Sequence, residues 1–237
     1  MSEAYVEGSL REFMETNRII PRVIYECILT TRADEETNAA PMGVIFEEDS
    51  MLLRPFKSTK SYRLLKRAPY GVVNFTDDVE VFYITTFGAK SDFNELFAPS
   101  VSVPAPSLAN AYARLEFFVE SLVKEDDNRA VFRCKVLKAL WKRREAKPYT
   151  RAEHAIIESL IHATRLKFFL ERGMSQEVIQ LAHLIKHYDA LVSRVAPNTI
   201  YSSIMDKLKA LISSWGLPGP LLDSSELQKE QDDVNDD

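Results

Sequence analysis

Cysteine is scarce in this chain, and the two cysteines that occur are far apart. Cys27 and Cys134 each lie in an apolar run typical of a strand, and no histidine is close to either one in the sequence. We interpret both as buried free thiols rather than as a disulfide or a zinc pair. The 237 residues give enough volume for a core without disulfides, in one large domain or two small ones.

Long apolar stretches and an excess of positive charge are also missing. No run approaches the length of a transmembrane helix, and charged residues interrupt the first 20 positions, unlike a signal peptide. The 30 lysines and arginines are outnumbered by 35 acidic residues, for a formal net charge of -5, which disfavours a nucleic-acid binder of the usual basic kind. We therefore expect a soluble, cytoplasmic protein with neither a membrane nor a nucleic acid as its partner.

Signatures of familiar catalytic sites are absent as well. There is no nucleophile elbow, Walker loop or dinucleotide fingerprint, and no side chain is marked as a general acid or base. His183 and His187 have the i, i+4 spacing of a helical metal pair, but no carboxylate at a strong spacing completes the set. We interpret them as part of a solvated helix face, so the sequence predicts no metal site and leaves the catalytic residues unknown.

Short runs of β-branched and aromatic residues, bounded by turn residues, fill the first part of the chain. They predict antiparallel strands over residues 23–31, 39–46, 51–56, 70–75, 114–124 and 130–141. Helices are predicted over residues 10–20, 58–67 and 79–87, although a strand fits the last range almost as well. Leu10, Phe13 and Ile20 share one face of the first helix and should point inward, and residues 32–37 should form a polar loop.

Helical spacing replaces the strand-like runs after Lys147 and Pro148. Thr150 and Glu153 have the spacing of a capping box, and three apolar helical stripes follow. The segment from Asp223 onward is acidic and polar, which is typical of disorder. We therefore predict an α+β fold, mainly β: a barrel of about six or seven antiparallel strands in domain 1–148, a helical domain 149–222 and a disordered acidic tail 223–237.

Two short segments have a composition that suits ligand binding. In residues 37–43, small side chains together with Asn38 and Pro41 begin a strand, so a flat ligand could approach the backbone. In residues 54–62, Arg54 ends a strand and precedes lysines and hydroxyls at a helix start, which suits a phosphate monoester. A bent strand entry explains the first segment at least as well, and an N-capped helix with a solvated basic turn explains the second equally well.

Together the two segments resemble an uncharacterised family of flavin-binding split-barrel proteins, first catalogued as a domain of unknown function in methanogenic archaea. The resemblance extends over roughly residues 22–195, through ordered blocks at 26–31, 38–44, 54–65, 72–78, 149–152 and 157–166. More distantly, the chain is similar to flavin-reductase-like and pyridoxamine-phosphate-oxidase-like split barrels. The resemblance implies an FMN-binding split β-barrel with a C-terminal helical domain, and a homodimer with the flavin site at its two-fold interface.

The resemblance also implies which residues hold the cofactor, FMN. The isoalloxazine ring is expected along Asn38, Ala39, Ala40, Pro41 and Met42. The 5′-phosphate is expected at Arg54, Ser58, Thr59, Lys60 and Ser61. From the adjacent strand, Asn74 and Thr76 are expected to reach the ring or the ribityl chain. The chain departs from the family pattern near Ser58 and Leu64 and at Thr150, where a glycine and two asparagines are expected.

The function that the resemblance implies is a flavin-dependent oxidoreductase. A pterin-like or other one-carbon cofactor is the implied reaction partner, because related proteins accompany tetrahydromethanopterin-dependent metabolism in some bacteria. Two alternatives stay open. One is a flavin carrier or sensor without turnover, and the other is a split barrel that has lost its flavin and works as an assembly module.

A charged face on the first C-terminal helix has two interpretations. Arg151, Glu158 and Arg165 lie seven residues apart in sequence, which places them on one side of a helix. We interpret them as an ion-paired face that holds the helix against the barrel. The alternative places Arg151 or Arg165 at the mouth of the flavin site.

Overall fold

The architecture is a closed barrel followed by a group of helices. The computed structural model describes residues 4–88, 96–143 and 150–217, and the chain divides into two units, Met1–Ala146 and Lys147–Asp237. In chain order the elements of the first unit are β1 (Val6–Gly8), α1 (Leu10–Thr16), β2 (Ile24–Ala33), β3 (Glu36–Phe46), β4 (Met51–Leu53), α2 (Lys60–Arg67), β5 (Tyr70–Phe75), α3 (Val79–Phe87), β6 (Phe97–Ala98), β7 (Ser107–Leu108), β8 (Ala113–Glu125) and β9 (Ala130–Trp141).

Six of these strands form the barrel. Their order is β9-β4-β3-β2-β5-β8, every pairing is antiparallel, and β8 pairs back to β9 to close the ring. β1 extends the sheet beyond β4 by pairing with β9, with Val6 opposite Trp141. Closure leaves the long strands paired on both sides, which is how small barrels satisfy their backbone groups. The predicted α+β fold with a split β-barrel is confirmed.

The connection between β2 and β3 is tighter than the polar loop predicted at residues 32–37. β2 continues to Ala33 and β3 begins at Glu36, so only Asp34 and Glu35 form the turn. Asp34 has a φ of 52°, a left-handed conformation that aspartate tolerates in two-residue hairpins. The tight turn concentrates charged side chains at one end of the two strands.

The first helix is shorter than predicted. It ends at Thr16, where the Asn17 side chain donates to the carbonyl of Phe13 at 2.9 Å and Arg18 turns the chain with a φ of 54°. Ile20 is consequently 63% exposed, so the prediction that it points inward was wrong, although Leu10 and Phe13 are buried as expected.

Residues 79–87 form a helix, α3, and not the strand that fitted them almost as well. The carboxylate of Asp78 accepts the N–H groups of Glu80 at 2.9 Å and Val81 at 3.4 Å. This cap satisfies backbone donors of the first turn, which stabilises the helix despite the β-branched residues in it.

Aromatic rings fill the interior of the barrel. The ring of Phe13 lies 6.1 Å from that of Phe46, 6.0 Å from that of Phe75 and 5.8 Å from that of Trp141, between centroids. Both cysteines belong to the same core as free thiols, as predicted. Burial raises the pKa of each thiol, so both stay protonated and act as packing groups rather than nucleophiles.

A segment that we call the strap, residues 96–108, is tied to the outer surface of the barrel by buried polar groups. The backbone N–H of Leu108 donates to Asn74 Oδ1 at 2.8 Å. At the other side, the Glu116 carboxylate accepts the N–H of Val101 at 2.8 Å. Asn74 and Glu116 have no exposed surface, so the strap shields these bonds from water and is held in a defined position.

The second unit is described from residue 150 to residue 217 and consists of three helices. They are α4 (Arg151–Leu170), α5 (Ser175–Val195) and α6 (Ile200–Ser214). Thr150 caps α4 by accepting the N–H of Ala152 at 3.3 Å, and Glu153 accepts a hydrogen bond from the Tyr201 hydroxyl on α6 at 2.9 Å. The buried carboxylate of Asp189 on α5 binds Lys209 on α6 at 2.9 Å, so ion pairing joins these helices.

Some predictions concern parts of the chain outside the described residues. The predicted domain boundary after residue 148 falls between 143 and 150, and the predicted tail 223–237 follows residue 217. Among the residues that the structure describes, no helix has both the length and the apolar character needed to cross a membrane.

Phe13→Ala should destabilise the barrel strongly, because Phe13 is 2% exposed and contacts three aromatic rings. We expect a loss of about 3–5 kcal/mol in the free energy of unfolding, measured by urea denaturation. Phe56→Ala is the matched control, because Phe56 is 47% exposed and should cost no more than about 1 kcal/mol. Equal losses for the two variants would contradict the assignment of Phe13 to the core.

Candidate functional site

The register of β3 decides which of its side chains face the interior of the barrel. Met42 packs against the aromatic core, so Ala40 and Asn38, two and four residues away, point to the same side. Ala39 and Pro41 point to the outer side. The five residues predicted along the flavin ring therefore alternate between two faces. A ligand outside the barrel would meet two small side chains and the backbone between them.

The first turn of α2 lies directly against the start of β3. Asn38 Nδ2 donates to Ser61 Oγ at 3.0 Å, and Lys60 Nζ donates to the carbonyl of Thr37 at 2.9 Å. Both bonds join residues 23 positions apart in the sequence. The fold thus brings together the two segments that sequence analysis singled out.

A groove opens where these segments meet. Its volume is about 730 Å³, which is within the range of pockets that hold cofactor-sized ligands. It is lined by residues 33–39, Lys60, Arg67 and Phe97. The lining combines a small side chain at Ala39, the aromatic ring of Phe97 from the strap, and two cations. Flat and anionic chemical groups can both find complementary surfaces there.

The five residues predicted to hold a phosphate differ in how free their polar groups are. Thr59 is the N-cap of α2; its hydroxyl accepts from the N–H of Tyr62 at 3.3 Å and donates to the carbonyl of Phe56 at 2.7 Å. Ser61 is buried and accepts from Asn38. Arg54 and Ser58 are exposed, and within the described ranges neither side chain makes a hydrogen bond or an ion pair. Ser58 immediately precedes the N-cap, next to the first-turn N–H groups of α2 that lack intrahelical acceptors.

The cations of the groove are balanced by carboxylates from the β2–β3 turn. Lys60 Nζ lies 3.3 Å from a carboxylate oxygen of Glu36, and Arg67 lies 3.2 Å from the other oxygen. Arg67 also pairs with Asp34. The hydrogen bond from Lys60 is the main reason that the pKa of Glu36 is lowered, so this carboxylate is charged at neutral pH.

The structure places Asn74 in a buried hydrogen-bond network. Its side-chain amide donates to the carbonyls of Ile28 at 3.0 Å and Val72 at 3.1 Å and to the Thr30 hydroxyl at 3.0 Å, while its oxygen accepts from Leu108. With both ends of the amide bonded and no exposed surface, Asn74 ties β5 to β2 and to the strap. That it also reaches the flavin stays a prediction.

Thr76 is directed away from the groove lining. Its hydroxyl accepts the backbone N–H of Asp78 at 3.1 Å, just before α3, and it is not among the residues that line the groove. The two polar residues predicted from this strand therefore serve the barrel and the entry to α3 in the present structure.

Most residues that line the groove were not predicted as site residues, among them Asp34, Glu36, Arg67 and Phe97. Asp34 and Glu36 fell within the polar loop predicted at residues 32–37. Strand-like residues on both sides could have indicated that the turn has only two residues. Arg67 is the last residue of a predicted helix, and nothing in the local sequence indicated its ion pairs. Phe97 reaches the groove through the path of the strap, which no local pattern indicates.

The charged face predicted on α4 is present as a set of exposed side chains. Arg151, Glu158 and Arg165 are all exposed, on the side of the helix away from its buried stripe. His183 and His187 are exposed on α5. Within the described residues, no group of three or more metal-binding side chains occurs.

Comparison with known proteins agrees with this division of the chain into barrel and helices. A family model described as "Protein of unknown function (DUF447) N-terminal domain" matches residues 25–143, and a second DUF447 model matches residues 150–210. An uncharacterized protein of Methanocaldococcus jannaschii is 22% identical over 180 residues, which covers 73% of this chain and 90% of that protein.

A solved structure is similar over most of the chain. It is that of an FMN-bound protein from Methanosarcina mazei, assigned to the same family, with 24% sequence identity and a TM-score of 0.68. The match covers 85% of this chain and 99% of that one. The closed barrel followed by helices thus defines an α+β protein of the FMN-binding barrel class. Within that class, the chain belongs to the DUF447 family.

Asn74→Ala should act on stability. The substitution leaves the N–H of Leu108 without its buried acceptor, so we expect a loss of about 2–3 kcal/mol in the free energy of unfolding, measured with urea. Asn128→Ala is the control, because Asn128 is exposed in the β8–β9 turn. Unchanged stability combined with a large loss of flavin affinity would show instead that Asn74 acts at the binding site.

Proposed function

We propose that this protein binds FMN in the groove between β3 and α2. The observation that carries the proposal is the contact between the two predicted segments, through Asn38 with Ser61 and Lys60 with Thr37. This contact places a strand surface that suits a flat ring next to a helix turn that carries cations and hydroxyls. FMN has two parts that match these surfaces, a planar ring at one end of the molecule and an anionic phosphate at the other.

The ring would lie against the outer side of β3. Ala39 lines the groove although it is only 4% exposed, Pro41 follows on the same face outside the lining, and the strand's backbone groups can meet the polar edge of an isoalloxazine. Asn38, Ala40 and Met42 would support this surface from the inner side and through their backbone. Phe97 lines the same groove and offers an aromatic face for stacking.

The phosphate would lie at the first turn of α2. The free N–H groups and the positive end of the helix dipole favour an anion at that position, and Lys60 adds a full charge. Arg54 and Ser58 supply exposed donors, whereas Thr59 and Ser61 shape the turn through bonds within the protein. The donor set therefore fits a phosphate monoester.

The family relationship supports the same ligand. The Methanosarcina mazei protein of this family was solved with FMN bound, and its barrel and helices match those of this chain over most of their length. This support is independent of the groove geometry, which was derived from the residues of this chain.

We further propose that the protein is a flavin-dependent oxidoreductase that acts with a pterin-like or one-carbon cofactor. When bound, FMN would supply the transfer of hydride or electrons. The protein residues would bind the phosphate, orient the ring against β3 and limit access of water through the strap.

The proposal includes a homodimer. Leu122, Val123 and Leu137 on the β8–β9 hairpin are 40%, 49% and 46% exposed, and a partner subunit could cover them. The resemblance to split barrels that complete their flavin site between subunits supports the same arrangement.

Binding is tested by titrating the purified protein with FMN and with riboflavin while flavin absorbance and fluorescence are followed. Arg54→Ala should weaken FMN about tenfold and riboflavin less than about twofold, because only FMN carries the phosphate. Arg194→Ala, an exposed arginine of the helical unit, is the control for loss of charge. Protein that binds neither flavin would contradict the proposal and favour a flavin-less assembly module. Equal weakening of both ligands would remove Arg54 from the phosphate site.

The reaction is tested by anaerobic photoreduction of the FMN-loaded protein, followed by addition of electron acceptors. An oxidoreductase should reoxidise its flavin rapidly with at least one pterin, quinone, deazaflavin or nicotinamide. Stopped-flow absorbance near the flavin band measures the rate, and free FMN is the reference. Reoxidation no faster than that of free FMN with every acceptor would favour the carrier or sensor.

A further inference from the structure

The cations of the groove already have an anionic partner within the protein. The Glu36 carboxylate bridges Lys60 at 3.3 Å and Arg67 at 3.2 Å, one oxygen to each. Asp34 provides a second carboxylate to Arg67. Two positive and two negative side chains therefore form a network along α2, and Glu35 adds a third carboxylate to the groove lining, whereas an anionic ligand would need net positive charge there.

The place of Glu36 in the fold makes this pairing specific. It is the first residue of β3, opposite Ala33 of β2, and the two-residue turn holds it next to the groove. The Lys60 side chain is 24% exposed and that of Glu36 45% exposed, so solvent reaches both partners of the pair. Both residues line the groove, so an anion bound to Lys60 there would lie close to this carboxylate.

The contacts also show that Glu36 can release Lys60 without leaving either group unpaired. Lys60 keeps its bond to the carbonyl of Thr37 at 2.9 Å, and Glu36 keeps its pair with Arg67. Ion pairs that are partly exposed are weak, so a doubly charged phosphate beside a helix N-terminus can compete with one carboxylate.

We propose that Glu36 is an internal competitor that occupies the position of the ligand's phosphate on Lys60, and so sets how strongly the groove prefers phosphorylated over neutral flavins. This inference rests on the proposed binding of FMN. A phosphate group displaces Glu36 from Lys60, and the remaining negative charge of Glu36 opposes it by Coulomb repulsion. A neutral ligand such as riboflavin meets neither effect.

The test compares Glu36→Gln with the unaltered protein in titrations with FMN and riboflavin at low ionic strength. Glutamine keeps the size and the hydrogen-bonding ability of the side chain and removes its charge. FMN affinity should rise about fivefold or more, riboflavin affinity should change less than about twofold, and the gain should shrink in high salt. Circular dichroism checks that the variant is folded, as expected for an exposed site.

Two further variants separate displacement at Lys60 from a general effect of charge. Glu48→Gln removes the same charge from an exposed turn outside the groove and should leave both affinities unchanged. In a Lys60→Gln background, Glu36→Gln should lose most of its gain, because the group for which carboxylate and phosphate compete is gone.

The outcomes distinguish this inference from the function on which it rests. Unaltered protein that fails to bind FMN overturns both. If the unaltered protein binds FMN, then weaker FMN binding by Glu36→Gln would show that Glu36 only orients Lys60, and the inference is overturned while FMN binding stands. Equal gains for FMN and riboflavin, or a full gain without Lys60, would overturn it as well.

Discussion

The contact between the first turn of α2 and the start of β3 sets the geometry of the whole groove. Ser61 is buried under Asn38, and Leu64 and Leu65 on the same helix are buried as well, with Leu65 in the barrel core. The helix is thus held by apolar packing on one side and by hydrogen bonds at its N-terminal end. Its free N–H groups consequently keep a constant distance from β3, so both surfaces are preorganised for one ligand that contacts them together.

Buried polar groups also hold the strap in a defined position. Asn74 bonds to β2, β5 and Leu108 through both ends of its amide, and Glu116 anchors the other side of the strap through Val101. The Asn74 and Glu116 side chains have no exposed surface, so breaking these bonds would leave a buried polar group unpaired. The position of Phe97 in the groove therefore depends on buried residues outside the groove lining.

Charge in the groove is paired rather than simply positive. Asp34 and Glu36, which flank the β2–β3 turn, pair with Lys60 and Arg67 of the neighbouring helix, and Glu35 adds a third carboxylate to the lining. Under the proposal for Glu36, the groove prefers a ligand that can replace an internal carboxylate and also fit the adjoining surface.

Local patterns in the sequence were sufficient to predict most strands, the long β8–β9 hairpin, the capped helix α2 and the buried thiols. Each of these depends on side chains within a few positions of one another, through periodicity, turn chemistry or capping. The exposed position of Ile20 and the short turn at Asp34 were not predicted, because the end of α1 and the extent of the β2–β3 pairing depend on backbone conformations that many residues share.

By itself the sequence determined the order of barrel and helices and the residue types of the two segments that we propose as the binding site, whose family resemblance indicated FMN. Only the tertiary structure decided which side chains of β3 face outward, that Asn74 holds the strap, and that Glu36 lies on Lys60. Strand register and contacts between residues more than 20 positions apart control these features. Such contacts exist only once the barrel has closed, because closure alone brings α2, β3 and the strap to the same place.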